Sequence, residues 1–335
     1  MNFNYKVYGL RVSSQRPVSL LNRTDDTVTD LQVHWADAAS LNTQHQHLLW
    51  EQVQTADLLQ RRHIKFFVST TPTGTYYKTL YNTPDGDFYF ILSPAKKELW
   101  IVYDQKVPPS NLESFFVGPV MGSVLRLRDI VCLHASVVEI NGKAIAFLGV
   151  KRSGKSTTAA AFARLGYRVL ADDLAVITEF NGNFYVEPGY SKLRLRTKTA
   201  EEIHKEDLLS LPMVYSYGES FYSTLSKQFC DTRLPLAAIY SFTPTETNHK
   251  EPFITPVSLP GRLPILGRNT FGNYVLTPAT RKKEFDILCR MAMNIPVNKL
   301  HLVYAIENLD RQCEVVLENL KQLTHQTTNL PVDEF

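Results

Sequence analysis

The 335-residue chain lacks most of what would mark a secreted, membrane-spanning or nucleic-acid-binding protein. Cysteine is scarce: Cys132, Cys230, Cys289 and Cys313 lie far apart and form no C-x-x-C pair. That spacing argues against a zinc cluster or a disulfide framework and fits a reducing cytosol. Cys132, two positions before His134, reads as a small buried residue of an apolar strand rather than a reactive thiol. An excess of one charge is missing too, since 36 Lys and Arg against 33 Asp and Glu leave +3, too little to imply a nucleic-acid surface. No apolar run approaches the length needed to cross a bilayer. Met1-Asn2-Phe3-Asn4-Tyr5-Lys6 has no apolar core of a signal peptide, so the expected location is cytoplasmic, with no membrane partner. Internal repeats and low-complexity segments are absent. What is present is the 44% hydrophobic content of a folded protein, at a length that suggests two domains.

One stretch organises the rest. Gly149-Val150-Lys151-Arg152-Ser153-Gly154-Lys155-Ser156 fits the G-x-x-x-x-G-K-[ST] phosphate-binding pattern, with Thr157 next in line. Its surroundings have the order such a loop needs. Upstream, Asn141-Gly142 signals a hairpin joining Val137–Ile140 to the apolar run Ala144–Leu148. Downstream, Ser156–Leu165 is Ala-rich and helix-favouring, and Gly166 sits where a helix end takes a left-handed residue. Loop N–H groups and the positive helix end would then face a polyphosphate. Lys155 would reach its terminal phosphates, and the Ser156 hydroxyl would ligate Mg²⁺. Tyr167–Ala171 reads as a buried strand ending on Asp172-Asp173. A carboxylate there can hold the metal or accept a proton from a hydroxyl nucleophile. The residues do not say which acid does which; Ser156 and Asp173 are taken as the metal-associated pair.

These residues resemble the HPr kinase/phosphorylase superfamily, related to ATP-dependent phosphoenolpyruvate carboxykinase. The resemblance rests on Leu133-His134-Ala135-Ser136, on Gly149 to Ser156 and on Ala171-Asp172-Asp173. It continues through Glu187–Leu195 and Ile295–Leu300, and is specific over about residues 120–200. It is greatest with the shorter HPr-kinase-like proteins of bacterial gene clusters, some of which phosphorylate a serine of lasso-peptide precursors. Lys151 and Arg152 depart from the small residue and glycine of the family loop. Thr157 stands where bifunctional members often carry an acid, and their C-terminal signature has no match. Phosphorylase activity and HPr as substrate are therefore not carried over. The resemblance implies a catalytic role for His134 beside Asp172, Asp173 and Lys155. It also implies ATP and Mg²⁺, and a peptide or small-protein acceptor. From the hexameric HPr kinases it carries an expectation of self-association into a homo-oligomer.

The expected fold is α/β or α+β: an HPr kinase-like P-loop core over residues 119–335, preceded by a smaller, mainly β domain over 1–118 that holds substrate or aids assembly. In that first unit Tyr5–Val12 alternates like one strand, Val28–Trp35 is β-like, and the segment 43–60 has loosely helical spacing. His45-Gln46-His47 reads as a solvated loop for want of a third ligand. Short aromatic strands follow, with Pro84-Asp85-Gly86 and Pro94–Lys97 as turns, and Pro108-Pro109-Ser110 as the boundary. In the core, Phe180-Asn181-Gly182 marks a second hairpin. Glu187 is a loop acid or a further metal-associated carboxylate. Lys192, Arg194 and Arg196 alternate, sharing one strand face. Residues 199–209 look helical. Between Leu211 and Thr280 the prolines multiply, predicting surface excursions with only a few strands, notably Ala237–Phe242 and Phe253–Val257, and with Arg262, Arg268 and Arg281 available to phosphate. Helices are expected over Thr280–Met293 and Leu309–Leu323, flanking a strand over Asn298–Ile306. The expected activity is phosphoryl transfer from ATP to a hydroxyl, with a serine of a peptide or small protein as acceptor. A kinase of a small hydroxylated metabolite and a non-catalytic nucleotide-binding regulator remain the alternatives.

Overall fold

A computed structural model describes residues 2–37, 45–58, 62–204, 220–244, 251–303 and 308–328. The first strands are β1 (Phe3–Val7), β2 (Leu10–Ser14), β3 (Leu31–Asp37), β4 (Glu51–Leu58), β5 (Arg62–Thr71), β6 (Gly74–Thr83), β7 (Gly86–Leu92) and β8 (Glu98–Tyr103). They form one sheet in the order β1-β2-β3-β8-β7-β6-β5-β4, antiparallel except where β3 runs parallel to β2 and β8. Its inner face, with Tyr5, Val33, Phe66, Phe88, Phe90 and Ile101, packs on the helical segment that follows. That segment is α1 (Pro109–Phe115), a π-helical turn (Phe116–Val120) and α2 (Met121–Leu127), with Pro109 at the first helical position, where its missing N–H is harmless. Cys132, Leu174, Val176 and Tyr190 join the same apolar cluster, so the N-terminal sheet and the later core share buried surface.

The core sheet is built from β9 (Val131–Leu133), β10 (Ala135–Ile140), β11 (Lys143–Leu148), β12 (Arg168–Ala171), β13 (Ala175–Phe180) and β14 (Asn183–Glu187). It is completed by β17 (Leu234–Pro244), β18 (Phe253–Pro256) and β19 (Val297–Leu302), while β15 (Lys192–Arg196) and β16 (Ser220–Thr224) pair separately. Its centre is parallel, β11 against β17 and β17 against β19. Helices cover both faces, as strands buried on two sides require. Along β11, Ala144, Ala146 and Leu148 face one cluster, which also takes in residues of α5 (Leu259–Arg268) and α6 (Pro278–Asn294). Ile145 and Phe147 face the other, with α3 (Lys155–Arg164) and α7 (Leu309–Thr328). The remaining described helix, α4 (Thr197–His204), follows β15. The chain is thus a mixed α/β fold with a mainly β N-terminal region. Among the described residues no helix is long and apolar enough to cross a membrane.

Both asparagine-glycine hairpins form, with Asn141, Gly142, Asn181 and Gly182 all at positive φ, as the two-residue turn demands. Several expectations are corrected. Tyr5–Val12 is not one strand: it folds back at Tyr8-Gly9 into β1 and β2, both turn residues at positive φ. An alternation of period two carries no trace of such a turn when a tyrosine occupies it. The segment 43–60, as far as it is described, ends in strand β4 rather than a helix, held by its antiparallel ladder to β5. His45 is not solvated; it is buried edge-on against Trp100, with ring centroids 4.5 Å apart. The proline-rich stretch is not mainly surface excursion. β17 is a central strand with Pro235 and Pro244 at its ends, and Pro260 and Pro278 open α5 and α6, places where proline breaks no ladder or helix bond. The expected helix over 199–209 is seen as α4 through His204, and the rest lies outside the described residues. The strand expected to reach Ile306 ends at Leu302, and residues 304–307 are likewise outside.

Candidate active site

The phosphate loop leaves the C-terminal end of β11 beside the same end of its parallel neighbour β17, where open α/β sheets bind ligands. Two glycines are required by geometry. Gly154 caps α3 at φ +99°, and a side chain at Gly149 would come within 2.5 Å of the Ser153 hydroxyl and 3.1 Å of Phe242. Lys155 is buried, and its Nζ donates to the loop carbonyls of Gly149 (2.8 Å) and Val150 (3.1 Å). Burial lowers its pKa, opposed by Asp173 and Asp172. The Ser153 hydroxyl, in the cavity lining, is buried and has no hydrogen-bond partner among the described residues. Val150, Lys151 and Arg152 stand exposed at the tip, Arg152 in a left-handed conformation. Thr157 meets Thr199 at 3.3 Å, tying α3 to α4.

The acidic pair divides along the strand end. Asp172 is buried and accepts three hydrogen bonds: from Ser136 Oγ at 2.6 Å, Ser156 Oγ at 2.9 Å and the Arg194 backbone N–H at 3.1 Å. Asp173 has φ +62°, a conformation that aspartate tolerates better than most residues. It is partly exposed and pairs with the Arg194 guanidinium at 2.8 Å. Their protonation differs accordingly. Burial, then the charge of Asp173, pushes the Asp172 carboxyl up. Burial opposes ionisation of Asp173 as well, but Arg194, His134, Lys155 and Lys151 outweigh it and hold Asp173 below the usual range. The carboxylate touching the Ser156 hydroxyl is therefore Asp172, while Asp173, expected beside the metal with Ser156, pairs with Arg194.

His134 sits on the other flank. Its backbone N–H donates to Asn269 O at 2.7 Å, and its Nδ1 lies 3.1 Å from the Asp173 carbonyl oxygen, which can only accept. Nδ1 thus carries the proton, and burial lowers the ring's pKa toward the neutral form. His134, Gly149 through Thr157, Asp172, Asp173 and Arg194 all line one cavity of about 1320 Å³.

No protein-family model matches the chain, and no curated protein matches it in sequence. Among solved structures it is similar to the HPr(Ser) kinase/phosphatase of Coxiella burnetii, over 57% of this chain and 97% of that one. The identity is 12% and the TM-score 0.32, a likeness too slight to bear on activity.

The remaining candidates separate. Arg196 and Arg268 line the cavity. Arg262 does not; its guanidinium is spent on the carbonyls of Val257, Ala292 and Ile295. Arg281 caps Asn273 O. Glu187 accepts from Thr178 and faces Arg233, so it is a structural acid of a hairpin rather than a metal-associated one. Lys192 donates to Thr224 across β15 and β16. Cys132 is fully buried, and burial pushes its thiol up to about 12, leaving it unreactive. Two contributors carried no signal in the sequence. Ser136 is distinguished only as a neighbour of His134, and Tyr8 comes from the N-terminal turn, its N–H donating to Pro188 O and its hydroxyl to Val117 O, both at 2.8 Å.

Proposed function

We propose that the protein is a phosphotransferase that moves the terminal phosphoryl group of ATP to a hydroxyl acceptor. The observation that carries this reading is the arrangement around Asp172 and Asp173. One carboxylate is hydrogen-bonded to the phosphate-loop serine, and the next faces the same cavity with an arginine on it. A protein that only held nucleotide would need the loop and not this pair. The orphaned Ser153 hydroxyl and the glycine-only backbone fit a loop that closes on phosphate oxygens.

In this reading Lys155 exchanges its loop carbonyls for the transferred phosphoryl group. The loop and Arg194 offset the charge that builds on it. Asp173, ionised and facing the cavity, receives the acceptor's proton or holds its hydroxyl in line. His134 fixes the Asp173 backbone through Nδ1. Ser156 and Asp172 would hold Mg²⁺, which would offset phosphate charge there. Such a site draws on a protein hydroxyl or carboxylate and on substrate phosphate oxygens rather than on a protein cage.

The sequence resemblance favours a serine of a peptide or small protein as acceptor, a lasso-peptide precursor among them, in the cytoplasm and within a homo-oligomer. The cavity's extent behind Asp173 favours a small hydroxylated metabolite instead. The N-terminal region would complete the acceptor side, since Tyr8 and Ile64 reach the cavity from it. The test is transfer from γ-labelled ATP with Mg²⁺ into cell extract separated into protein, peptide and small-molecule fractions, with Lys155→Ala as the blank. Equal label in the blank would refute the loop assignment. Tight ATP binding with no transfer to any fraction would make the protein a nucleotide-binding regulator.

A further inference from the structure

The cavity is larger than one nucleotide needs, since about 1320 Å³ exceeds the roughly 300–1,000 Å³ of ordinary ligand pockets. Its two ends differ in chemistry. The phosphate loop forms one. The other, past Asp173, is a recess between the N-terminal sheet, the π-helical turn and the segment after α5, lined by Tyr8, Ile64, Gly118, Tyr190, Tyr222 and Phe271. Gly118 and Phe271 are partly exposed there, while Ile64, Tyr8 and Tyr222 are 1%, 2% and 4% exposed and form its packed floor. The hydroxyls of Tyr8 and Tyr222 are already bound, to Val117 O at 2.8 Å and Ser114 Oγ at 3.1 Å. What these rings leave for a ligand is carbon surface.

Charge points the same way throughout the cavity. Its lining carries Lys151, Arg152, Lys155, Arg194, Arg196, Arg268 and Lys299 against only Asp172 and Asp173, among the described residues. Seven cations less two acids leave five positive charges, more than the roughly four negative charges of a triphosphate, and Mg²⁺ adds to the surplus. The lining cation nearest in the chain to the recess segment is Arg268. It ends α5 one residue before Asn269, whose carbonyl takes the His134 N–H, and His134 in turn holds the Asp173 backbone. Arg268 is exposed and, among the described residues, makes no ion pair.

We infer that the acceptor is a small hydroxyl-bearing molecule with an apolar body and an anionic group, a carboxylate or a phosphate ester. It lies in this recess with its anion on Arg268 and its hydroxyl at Asp173. The inference rests on the phosphotransferase reading. The acceptor O–H bond breaks as its oxygen bonds the terminal phosphorus of ATP, the proton passes to Asp173, and ADP leaves with the electrons of the broken P–O bond. A peptide serine, whose hydroxyl stands one carbon from the main chain, fits an interior recess poorly.

Gly118 supplies the decisive variant. It lines the recess in a helical turn, and a Cβ built on it meets nothing within 4 Å. A side chain at Gly118 therefore starts into open space on the cavity wall, and Gly118→Leu takes up acceptor space. The experiment takes the full chain, γ-labelled ATP and Mg²⁺, and offers three acceptor pools: small metabolites retained on an anion exchanger, those not retained, and serine-containing peptides. The expected result is label in the retained pool, lost about tenfold or more in Gly118→Leu, with ATP affinity measured separately and unchanged. For the labelled acceptor, Arg268→Gln should raise KM about tenfold or more with kcat little changed, as loss of a charge-assisted contact implies. A labelled peptide pool, label confined to unretained metabolites, or Gly118→Leu working at the wild-type rate would overturn the inference and leave the phosphotransferase standing. No label in any pool would overturn both.

Discussion

Replacing Ser136 by alanine tests the carboxylate pair directly, because this hydroxyl touches nothing but Asp172 among the contacts described. Asp172 is 4% exposed and its carboxyl is pushed up to about 6 from an ordinary 3.8, first by burial and then by Asp173. Three donors restrain that rise, and the 2.6 Å bond from Ser136 is the shortest. A buried hydrogen bond to a charged group contributes about 1.5–3 kcal/mol, equivalent to about one to two pH units. Removing it disfavours the ionised form, so in Ser136→Ala the carboxyl should titrate at least about one unit higher. The consequence for stability has a definite sign. A carboxyl whose folded pKa is raised stabilises the fold fully below its unfolded pKa, and that contribution is lost as pH rises through the folded one. For wild type without nucleotide or metal, the loss falls between about pH 4 and 6 and amounts to at most about 3 kcal/mol. In Ser136→Ala it should continue toward about pH 7, and in Asp172→Asn this component should vanish. The assay is urea unfolding at a series of pH values, comparing slopes rather than absolute stabilities, since each substitution also changes the baseline. Because Asp172 and Asp173 titrate together, the curve belongs to the pair. If wild type and Ser136→Ala differ only by a vertical offset, the hydrogen bond does not govern the carboxylate and the reasoning fails.

Other outcomes follow from the same geometry. Asp173→Asn should lower kcat about 10²-fold or more while ATP affinity by calorimetry stays near wild type; unchanged turnover would remove Asp173 from the chemistry. Arg126 is 2% exposed and paired with Glu284, joining α2 to α6, so Arg126→Met alone should destabilise the chain by about 3–5 kcal/mol in denaturant unfolding. Arg126→Met with Glu284→Leu should recover most of that loss; equal damage from the double variant would show that the cost is steric rather than electrostatic. Gly154→Ala, forced to adopt φ +99°, should lose ATP binding by distorting the loop, and retention of wild-type affinity would mean that the left-handed residue is dispensable.

Legibility followed the range of the interactions. The phosphate loop, its hairpin, α3 and Asp172-Asp173 could be read because each is specified by neighbours in the chain: glycines where φ is positive, an Ala-rich run after the lysine, an apolar strand before the acids. The helices α6 and α7 were legible for the same reason. The β17 strand was underestimated because its prolines were counted without their positions, and they stand at its ends. The turn at Tyr8-Gly9 was invisible because a tyrosine at positive φ is held there by partners more than a hundred residues away, Val117 and Pro188.

The sequence by itself determined that a glycine-rich loop, a lysine and two adjacent carboxylates exist at the spacing of one strand–loop–helix–strand unit. Local backbone preference and side-chain chemistry are enough for that. Only the tertiary structure decided how the two carboxylates differ. Asp172 is claimed by Ser136 and Ser156, from β10 and α3, while Asp173 is turned by a left-handed backbone toward Arg194 of β15. It also decided that the N-terminal sheet closes the recess behind them, since Tyr8 and Ile64 are far from the loop in sequence and reach it only through packing. Adjacent residues of one strand share composition and spacing. What separates them is the burial and the partners that distant segments supply.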